Sequence, residues 1–176
     1  MEERLENVPE TPVLENTSRI NRELYMEAVR GRAAGWRSRL AILLGVLVAV
    51  AGLLMHWPIL TVLGLLYAVG RILTPAVTGR RDFGRLLEKH PEGEWNKTVR
   101  FYSDHIETDS GLGGPTVAHY KNIRREIETP RLYIIDFGKS APATMLCKDG
   151  FTRGSLEELR AFLTARQRAE YDPPHV

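Results

Sequence analysis

Asp104, His105, Glu107 and His119 have the chemistry of metal ligands or of acid and base catalysts. The first three lie close together, and His119 follows about one hairpin's length later. Two imidazoles and a carboxylate that met across paired strands could bind zinc or transfer protons. Their spacing matches no established ligand motif, and Asp104 with His105 is also typical of a turn. We therefore predict no metal site, and we keep proton transfer by Asp104, His105 or His119 as an enzymatic alternative.

The single cysteine and the glycine-rich loop offer weaker chemistry. Cys147 lies in the apolar segment ATMLCK, where a lone thiol is typical of core packing, and one cysteine cannot form an intrachain disulfide. The segment SGLGGP, residues 110–115, lacks the lysine of a phosphate-binding loop and reads as the tip of a hairpin. We therefore predict no catalytic residue and no cofactor.

Lys121, Arg124 and Arg125 form the basic cluster with the clearest functional potential. We predict that they contact the anionic inner leaflet of a membrane or an acidic partner. The alternative is a solvated strand face whose charge is balanced by Glu126 and Glu128.

A membrane is implied by the 31 residues from Leu40 to Gly70, which contain no Asp, Glu, Lys or Arg. One helix of this length would reach about 46 Å, whereas a hydrocarbon core is about 30 Å thick. Pro58 disfavours helix at the residue before it and can open a new helix. We therefore predict a transmembrane helical hairpin over residues 37–77 with its turn at 56–58.

Arginines on both sides of this run predict the orientation. The flanking arginines are Arg30, Arg32, Arg37 and Arg39 before it, and Arg71, Arg80, Arg81 and Arg85 after it. Basic residues near span ends collect on the cytoplasmic side, so a hairpin with both termini in the cytoplasm satisfies both groups. We predict a two-span protein of the bacterial inner membrane.

Small residues recur every fourth position along the two predicted spans: Ala41, Gly45 and Ala49 on the first, Gly64 and Ala68 on the second. This spacing allows close helix packing, either within the hairpin or between copies of the chain in a homo-oligomer. The spans contain no Asp, Glu or Lys, which argues against an ion or proton pathway.

The segments around the hairpin differ in composition. Residues 1–16 are acidic and proline-containing and predict a disordered tail. Residues 17–36 predict a basic juxtamembrane helix, packed on the inner leaflet or on the C-terminal part. Residues 78–94 predict a connector with a short helix over Asp82 to Lys89, and residues 169–176 a frayed tail.

Residues 95–168 predict a separate α+β domain on the cytoplasmic side. Short segments rich in β-branched and aromatic residues alternate with turn residues, which predicts an antiparallel meander of five or six strands. Ser155 followed by Glu158 is a capping box that opens an amphipathic helix. The stripe of Leu156, Leu159, Phe162 and Leu163 predicts that this helix closes the sheet.

The C-terminal half, roughly residues 95–165, resembles the YcxB-like family of small bacterial membrane proteins. The matching residues are Phe101, Asp104 and Ile106 in FYSDHI, Tyr120 and Ile123 in YKNI, Leu132, Tyr133 and Ile134, and Phe151 with Leu159, Phe162 and Leu163. Leu146-Cys147-Lys148 departs from the Ile-Pro-Lys that the family often has. The resemblance implies a two-span hairpin before the domain, and the strand-then-helix order is also similar to pleckstrin-homology-like domains.

Charge narrows the function. Residues 93–176 contain twelve basic and twelve acidic residues, so the positive excess flanks the apolar run and nucleic acid is not a predicted partner. We predict a membrane-anchored interaction or regulatory module without catalytic activity, whose partners are the bilayer and a protein. The alternatives are the membrane-surface enzyme and an oligomeric scaffold.

Overall fold

A computed structural model describes residues 11–88, 90–111 and 114–171, and all their side chains except those of residues 37 and 167–171. The helices are α1 (Arg22–Ala33), α2 (Trp36–Leu54), α3 (Pro58–Leu87) and α4 (Leu156–Tyr171). The strands are β1 (Leu14–Ile20), β2 (Trp95–Phe101), β3 (His105–Asp109), β4 (Thr116–His119), β5 (Arg125–Glu128), β6 (Leu132–Asp136), β7 (Thr144–Cys147) and β8 (Phe151–Arg153). The predicted α+β class is confirmed.

The chain divides into two compact units. Residues 21–94 form a helical unit, and the chain before and after them forms a β unit. The helical unit is therefore an insertion between β1 and β2 of the other unit. Among the described residues, every strand pairing is antiparallel.

Strand β1 lies inside the larger sheet, whose order is β4-β3-β2-β1-β8. It pairs with β2 from Leu14 opposite Phe101 to Ile20 opposite Trp95. The predictions of a disordered tail through residue 16 and of a helix from residue 17 are wrong over residues 14–20. The rest of that tail, residues 1–10, lies outside the described residues.

Burial along β1 explains the error. Leu14, Asn16, Ser18 and Ile20 are all buried, with at most 2% of each residue exposed, so the strand has a period of two. Two of these four are polar, which hides the alternation from a hydrophobicity pattern. The helix begins instead at Arg22, where the Asn21 side chain caps α1 by accepting from the Leu24 amide at 3.0 Å.

Asn16 and Ser18 join β1 to the smaller sheet, which has the order β5-β6-β7. Asn16 Nδ2 donates to the Cys147 carbonyl at 2.8 Å, and the Cys147 amide donates to Ser18 Oγ at 2.9 Å. Ser18 Oγ in turn donates to Asn16 Oδ1 at 2.6 Å. The two buried side chains thus form a hydrogen bond with each other, and each also bonds to the backbone of Cys147 on β7 of the opposite sheet.

The core lies between the two sheets and α4. Val99, Phe101 and Ile106 of the larger sheet meet Ile135 and Leu146 of the smaller one, and α4 adds its own apolar stripe through Leu159 and Leu163. The Glu158 amide donates to Ser155 Oγ at 3.2 Å at the start of α4. The described part of residues 95–168 holds seven strands, β2 to β8, and with β1 they form two sheets. The prediction of a single meander of five or six strands is therefore wrong in number and in arrangement.

The helical unit is built on an antiparallel pair, α2 and α3, joined at Met55, His56 and Trp57. Helix α3 continues through Pro75 to Leu87, so the predicted connector is largely helical and no boundary falls near Val77. Lys89 of the predicted connector helix lies outside the described residues. The tail predicted from residue 169 is also wrong in part, because α4 extends to Tyr171; residues 172–176 are not described.

Helix α1 packs on the second half of α3. A Cβ built at Gly79 would lie 3.0 Å from Val29 Cγ1 and 3.3 Å from Met26 Sδ. The rings of Tyr25 and Phe83 lie 5.5 Å apart between centroids. Neither alternative for residues 17–36 included this contact within the helical unit.

Replacing Asn16 with Ala tests the link between the sheets. The change removes one of two donors to the Cys147 carbonyl, which keeps the Gly150 amide at 3.0 Å, and it leaves the Ser18 hydroxyl without its acceptor in the core. We therefore expect a loss of about 1 to 3 kcal/mol in the free energy of unfolding of the β unit. Denaturant unfolding of the full chain in detergent measures this through Trp95, 8% exposed, after Trp36→Phe and Trp57→Phe.

The matched control is Asn96→Ala, which removes an exposed asparagine from the neighbouring strand. We expect it to change the free energy by no more than about 0.5 kcal/mol. Equal losses in the two variants would contradict the role of Asn16.

Candidate functional site

The contact surface between α2 and α3 consists of small residues. A Cβ built at Gly64 would lie 2.5 Å from the Ala49 backbone nitrogen and 2.7 Å from the Gly45 carbonyl oxygen. One built at Gly45 would lie 3.1 Å from Ala68 Cβ. The structure therefore brings together four of the five residues predicted for helix packing, and Ala41 is half-buried one turn before Gly45 on α2. The backbones approach too closely for larger side chains.

Gly52 extends this contact surface and was missed in the sequence. A Cβ there would lie 2.6 Å from the Thr61 backbone nitrogen. Gly52 follows Ala49 by three residues rather than four, so Gly45, Ala49 and Gly52 repeat as i, i+4 and i+7. That helical spacing was present in the sequence, but a search for four-residue intervals alone passes over it.

The outer surface of the same two helices is apolar. Large side chains that are 42–76% exposed cover it: Leu40, Leu43, Leu44, Val46, Leu47, Val50, Leu53 and Leu54 on α2, and Ile59, Val62, Leu63, Leu65, Leu66, Val69, Ile72, Leu73 and Val77 on α3. Small residues inside and large apolar residues outside reverse the usual pattern of a water-soluble helix pair. A continuous apolar surface of this extent marks contact with lipid or with another protein.

Two tryptophans mark the ends of α2. Trp36 is 67% exposed at its start, and Trp57 is 62% exposed just beyond its end. The 19 residues of α2 measure about 28 Å at 1.5 Å per residue, close to the hydrocarbon thickness of a bilayer. An open apolar hollow of about 480 Å³ lies beside the turn, lined by Trp57, Pro58, Ile59, Leu60 and Leu63.

By length and composition, α3 could cross a membrane by itself. Helices α1 and α2 meet the same criteria only when taken together as one broken segment, bent by 66°. Helix α1 is polar on most of its surface and packs on α3. The bend between α1 and α2 therefore divides a polar helix from an apolar one.

The basic cluster predicted for lipid or partner contact extends from the 3₁₀ turn after β4 to the start of β5, and an acidic residue pairs with one of its members. Arg125 Nε donates to Asp136 Oδ2 at 3.0 Å. Arg124 is exposed and packs closely over Gly138, where a Cβ would lie 2.6 Å from Arg124 Cδ. Lys121 is exposed in the 3₁₀ turn after β4. Arg125 thus has an acidic partner on β6, Asp136, in addition to the acids of its own strand that the alternative interpretation named.

Glu128 instead connects the smaller sheet with α4. It accepts from Lys148 Nζ at 2.6 Å and from Arg160 Nη2 at 2.7 Å. These two cations lower the pKa of the Glu128 carboxyl. Lys148 is therefore committed to a structural ion pair.

The histidines and Asp104 meet at one side of the larger sheet. His105 lies directly opposite His119 in the pairing of β3 with β4, and Asp104 Oδ1 lies 2.5 Å from His105 Nδ1. This hydrogen bond lowers the pKa of Asp104, and the Tyr102 ring stacks on His105 at 4.7 Å. Glu107 pairs with Arg100 instead, at 3.2 Å. Within the described parts of the chain, no three His, Cys, Asp or Glu residues are placed to hold a metal ion.

Lys97 is a buried cation that sequence reasoning missed. It is 6% exposed on the inward face of β2, opposite Ser18, and burial lowers the pKa of its amine to about 8. Cys147 is buried as predicted for a packing residue. The signal for Lys97 was its position two residues from Trp95 and Val99 in a strand of period two.

Gly64→Ala tests the close helix contact. Because the new methyl group would overlap the Ala49 backbone, we expect the hairpin to lose about 1 to 3 kcal/mol of stability. Gly70→Ala is the matched control, since nothing lies within 4 Å of a Cβ there. Helicity measured during detergent-induced unfolding should fall earlier for Gly64→Ala only.

Lys97→Met tests the buried amine through pH. An amine with a pKa of about 8 when folded and 10.5 when unfolded releases its proton on folding between those values, so stability rises with pH through that window. We expect Lys97→Met to abolish this rise and to stabilise the β unit at pH 7 by up to about 3 kcal/mol. Exposed Lys121→Met should keep the rise, and unfolding followed through Trp95 measures all three proteins.

The chain matches no protein-family model, and no curated protein or solved structure is significantly similar to it. The resemblance to the YcxB-like family stays a prediction. The functional proposal therefore depends on the apolar helices α2 and α3 and on strands β1 and β2, which precede and follow the helical unit in the sequence.

Proposed function

We propose that this protein is a membrane-anchored cytoplasmic module: α2 and α3 cross the inner membrane as a hairpin, and the β unit acts at the membrane surface as a non-catalytic interaction or regulatory domain. The observation that carries the proposal is the pairing of β1 with β2 on either side of the helical unit.

That pairing restricts how often the chain can cross a bilayer. Ile20 and Trp95 are opposite each other in one sheet, so the chain leaves and re-enters the β unit at the same place. A folded sheet lies on one side of a membrane, and the residues between must cross an even number of times. Helix α3 is long and apolar enough to make one crossing. An even number then requires a second crossing, which the apolar helix α2 can supply.

The surface of the hairpin supports the same interpretation. Its large outward side chains are apolar from Leu40 to Leu54 on α2, and the exposed Arg39 and Arg71 can extend their guanidinium groups towards the interface. Trp36 and Trp57 lie at the two ends of α2, where tryptophan prefers the interface between lipid and water. The close contact at Gly64 is stabilised by van der Waals packing of the two backbones, which is how helices usually associate in lipid.

Charge supports a cytoplasmic location for both termini. Residues 28–81 contain seven arginines and no Asp, Glu or Lys, and all seven lie towards the α1 end of the hairpin rather than at its turn. The turn itself, Met55 to Trp57, contains no Asp, Glu, Lys or Arg. Arginines follow the positive-inside rule when this end faces the cytoplasm.

A tethered module acts by concentration. Confining the β unit to a thin layer raises its effective concentration for partners in or near the membrane without any new contact. Balanced charge in residues 93–176 fits a protein partner better than nucleic acid.

The enzymatic alternative retains one supporting observation, the meeting of Asp104, His105 and His119. Asp104 holds His105 as a carboxylate holds a catalytic base. However, the side chain of Asp104 is 69% exposed, so water screens the pair. Loss of a membrane-dependent activity in His105→Gln, with unchanged β-unit stability, would favour the enzyme.

The scaffold alternative loses its proposed interface. Gly45 and Ala49 are occupied by α3 of the same chain, so an oligomer would need another surface.

Site-directed labelling tests the two crossings. In a Cys147→Ala background we expect His56→Cys to react with a membrane-impermeant maleimide in right-side-out vesicles, because the turn faces the outside. Lys139→Cys, exposed in the β unit, should react only in inside-out vesicles. Labelling of both positions from the same side would show that the hairpin does not cross.

A further inference from the structure

We infer that Arg30, Arg32, Arg80 and Arg81, here called the arginine band, form a binding site for the phosphate groups of anionic phospholipids. This inference rests on the proposed membrane location of the hairpin. It places lipid recognition on the helical unit and not on the cluster of Lys121, Arg124 and Arg125.

The contact of α1 with α3 brings the band together. Val29 and Gly79 touch, since a Cβ at Gly79 would lie 3.0 Å from Val29 Cγ1. Arg30 and Arg80 are the next residues on the two helices, and Arg81 follows Arg80. Arg30 and Arg32 occupy the last turn of α1, and all four arginines are exposed.

The band has the depth of a headgroup layer. Val77 is the last large apolar residue exposed on the outer surface of α3 before the band. Arg80 and Arg81 follow by three and four residues, which is about 4.5 to 6 Å along a helix. The polar layer of a bilayer leaflet is about 5 to 7 Å thick. Phosphate groups therefore lie at the height of these guanidinium groups.

Charge complementarity selects an anionic lipid. No acidic residue occurs between Glu27 and Asp82 in the sequence, and Asp82, which follows Arg81 directly, is within 4.0 Å of Arg85. One guanidinium group can donate two parallel hydrogen bonds to the oxygens of one phosphate. Each basic residue near an anionic lipid surface contributes about 1 kcal/mol to the free energy of binding.

The test uses the full chain in phosphatidylcholine nanodiscs that hold a small fraction of dansyl-labelled lipid, with Trp57→Phe and Trp95→Phe so that Trp36 is the single donor. Energy transfer from Trp36, beside the band in the chain, compares association of dansyl-phosphatidylglycerol with that of dansyl-phosphatidylcholine. We expect a preference for phosphatidylglycerol that falls about fivefold for each arginine removed, as in Arg30→Gln with Arg32→Gln or Arg80→Gln with Arg81→Gln.

Matched controls separate charge from fold. Lysine at positions 30 and 32 should retain most of the preference, because the positive charge remains. Lys121→Gln with Arg124→Gln should retain all of it. Three results would overturn the inference. They are equal association of the two labelled lipids with the parent protein, a preference for phosphatidylglycerol that survives the glutamine changes in the band, and a preference that is lost in the variant with Arg30→Lys and Arg32→Lys.

Labelling of His56→Cys in the same variants keeps this test independent of the proposed function. A hairpin that crosses the membrane with no preference for phosphatidylglycerol would remove the lipid site alone. A hairpin that does not cross would remove the anchor and, with it, the headgroup site.

Discussion

The antiparallel pairing of β1 with β2 is the interaction on which the rest of the structure depends. It holds Ile20 opposite Trp95, so the 74 residues of the helical unit begin and end at one point of the sheet. The same pairing completes a sheet whose inward face is the core of the β unit. Sheet formation and the path of the helical segment are therefore constrained by a single set of backbone hydrogen bonds.

The two units differ in the size of the side chains that face their interiors. In the β unit large side chains such as Phe101 and Phe137 are fully buried, and Asn16 and Ser18 satisfy their polar groups on a neighbouring strand. In the helical unit glycines such as Gly64 form the interior and leucines face outward. The first arrangement suits water, where apolar burial drives folding, and the second suits lipid, where close backbone packing replaces it.

Local chemistry made several features predictable. Pro58 begins α3 because its missing amide is not needed at a helix start, and Ser155 caps α4 through its hydroxyl. The four-residue spacing of Gly45 and Ala49 identified most of the helix contact. Strand β1 was not predictable in this way, because its partner is 75 or more residues distant and half of its buried face is polar.

The sequence by itself determined that an apolar hairpin divides the chain, since the absence of charge and the position of Pro58 are local properties. Tertiary structure alone decided that residues 14–20 belong to the sheet, that α1 packs on α3, and that Arg125 is paired with Asp136. Each of these depends on contacts between distant residues. Such contacts follow from pairing and burial in the folded chain, which the local sequence of one segment does not specify.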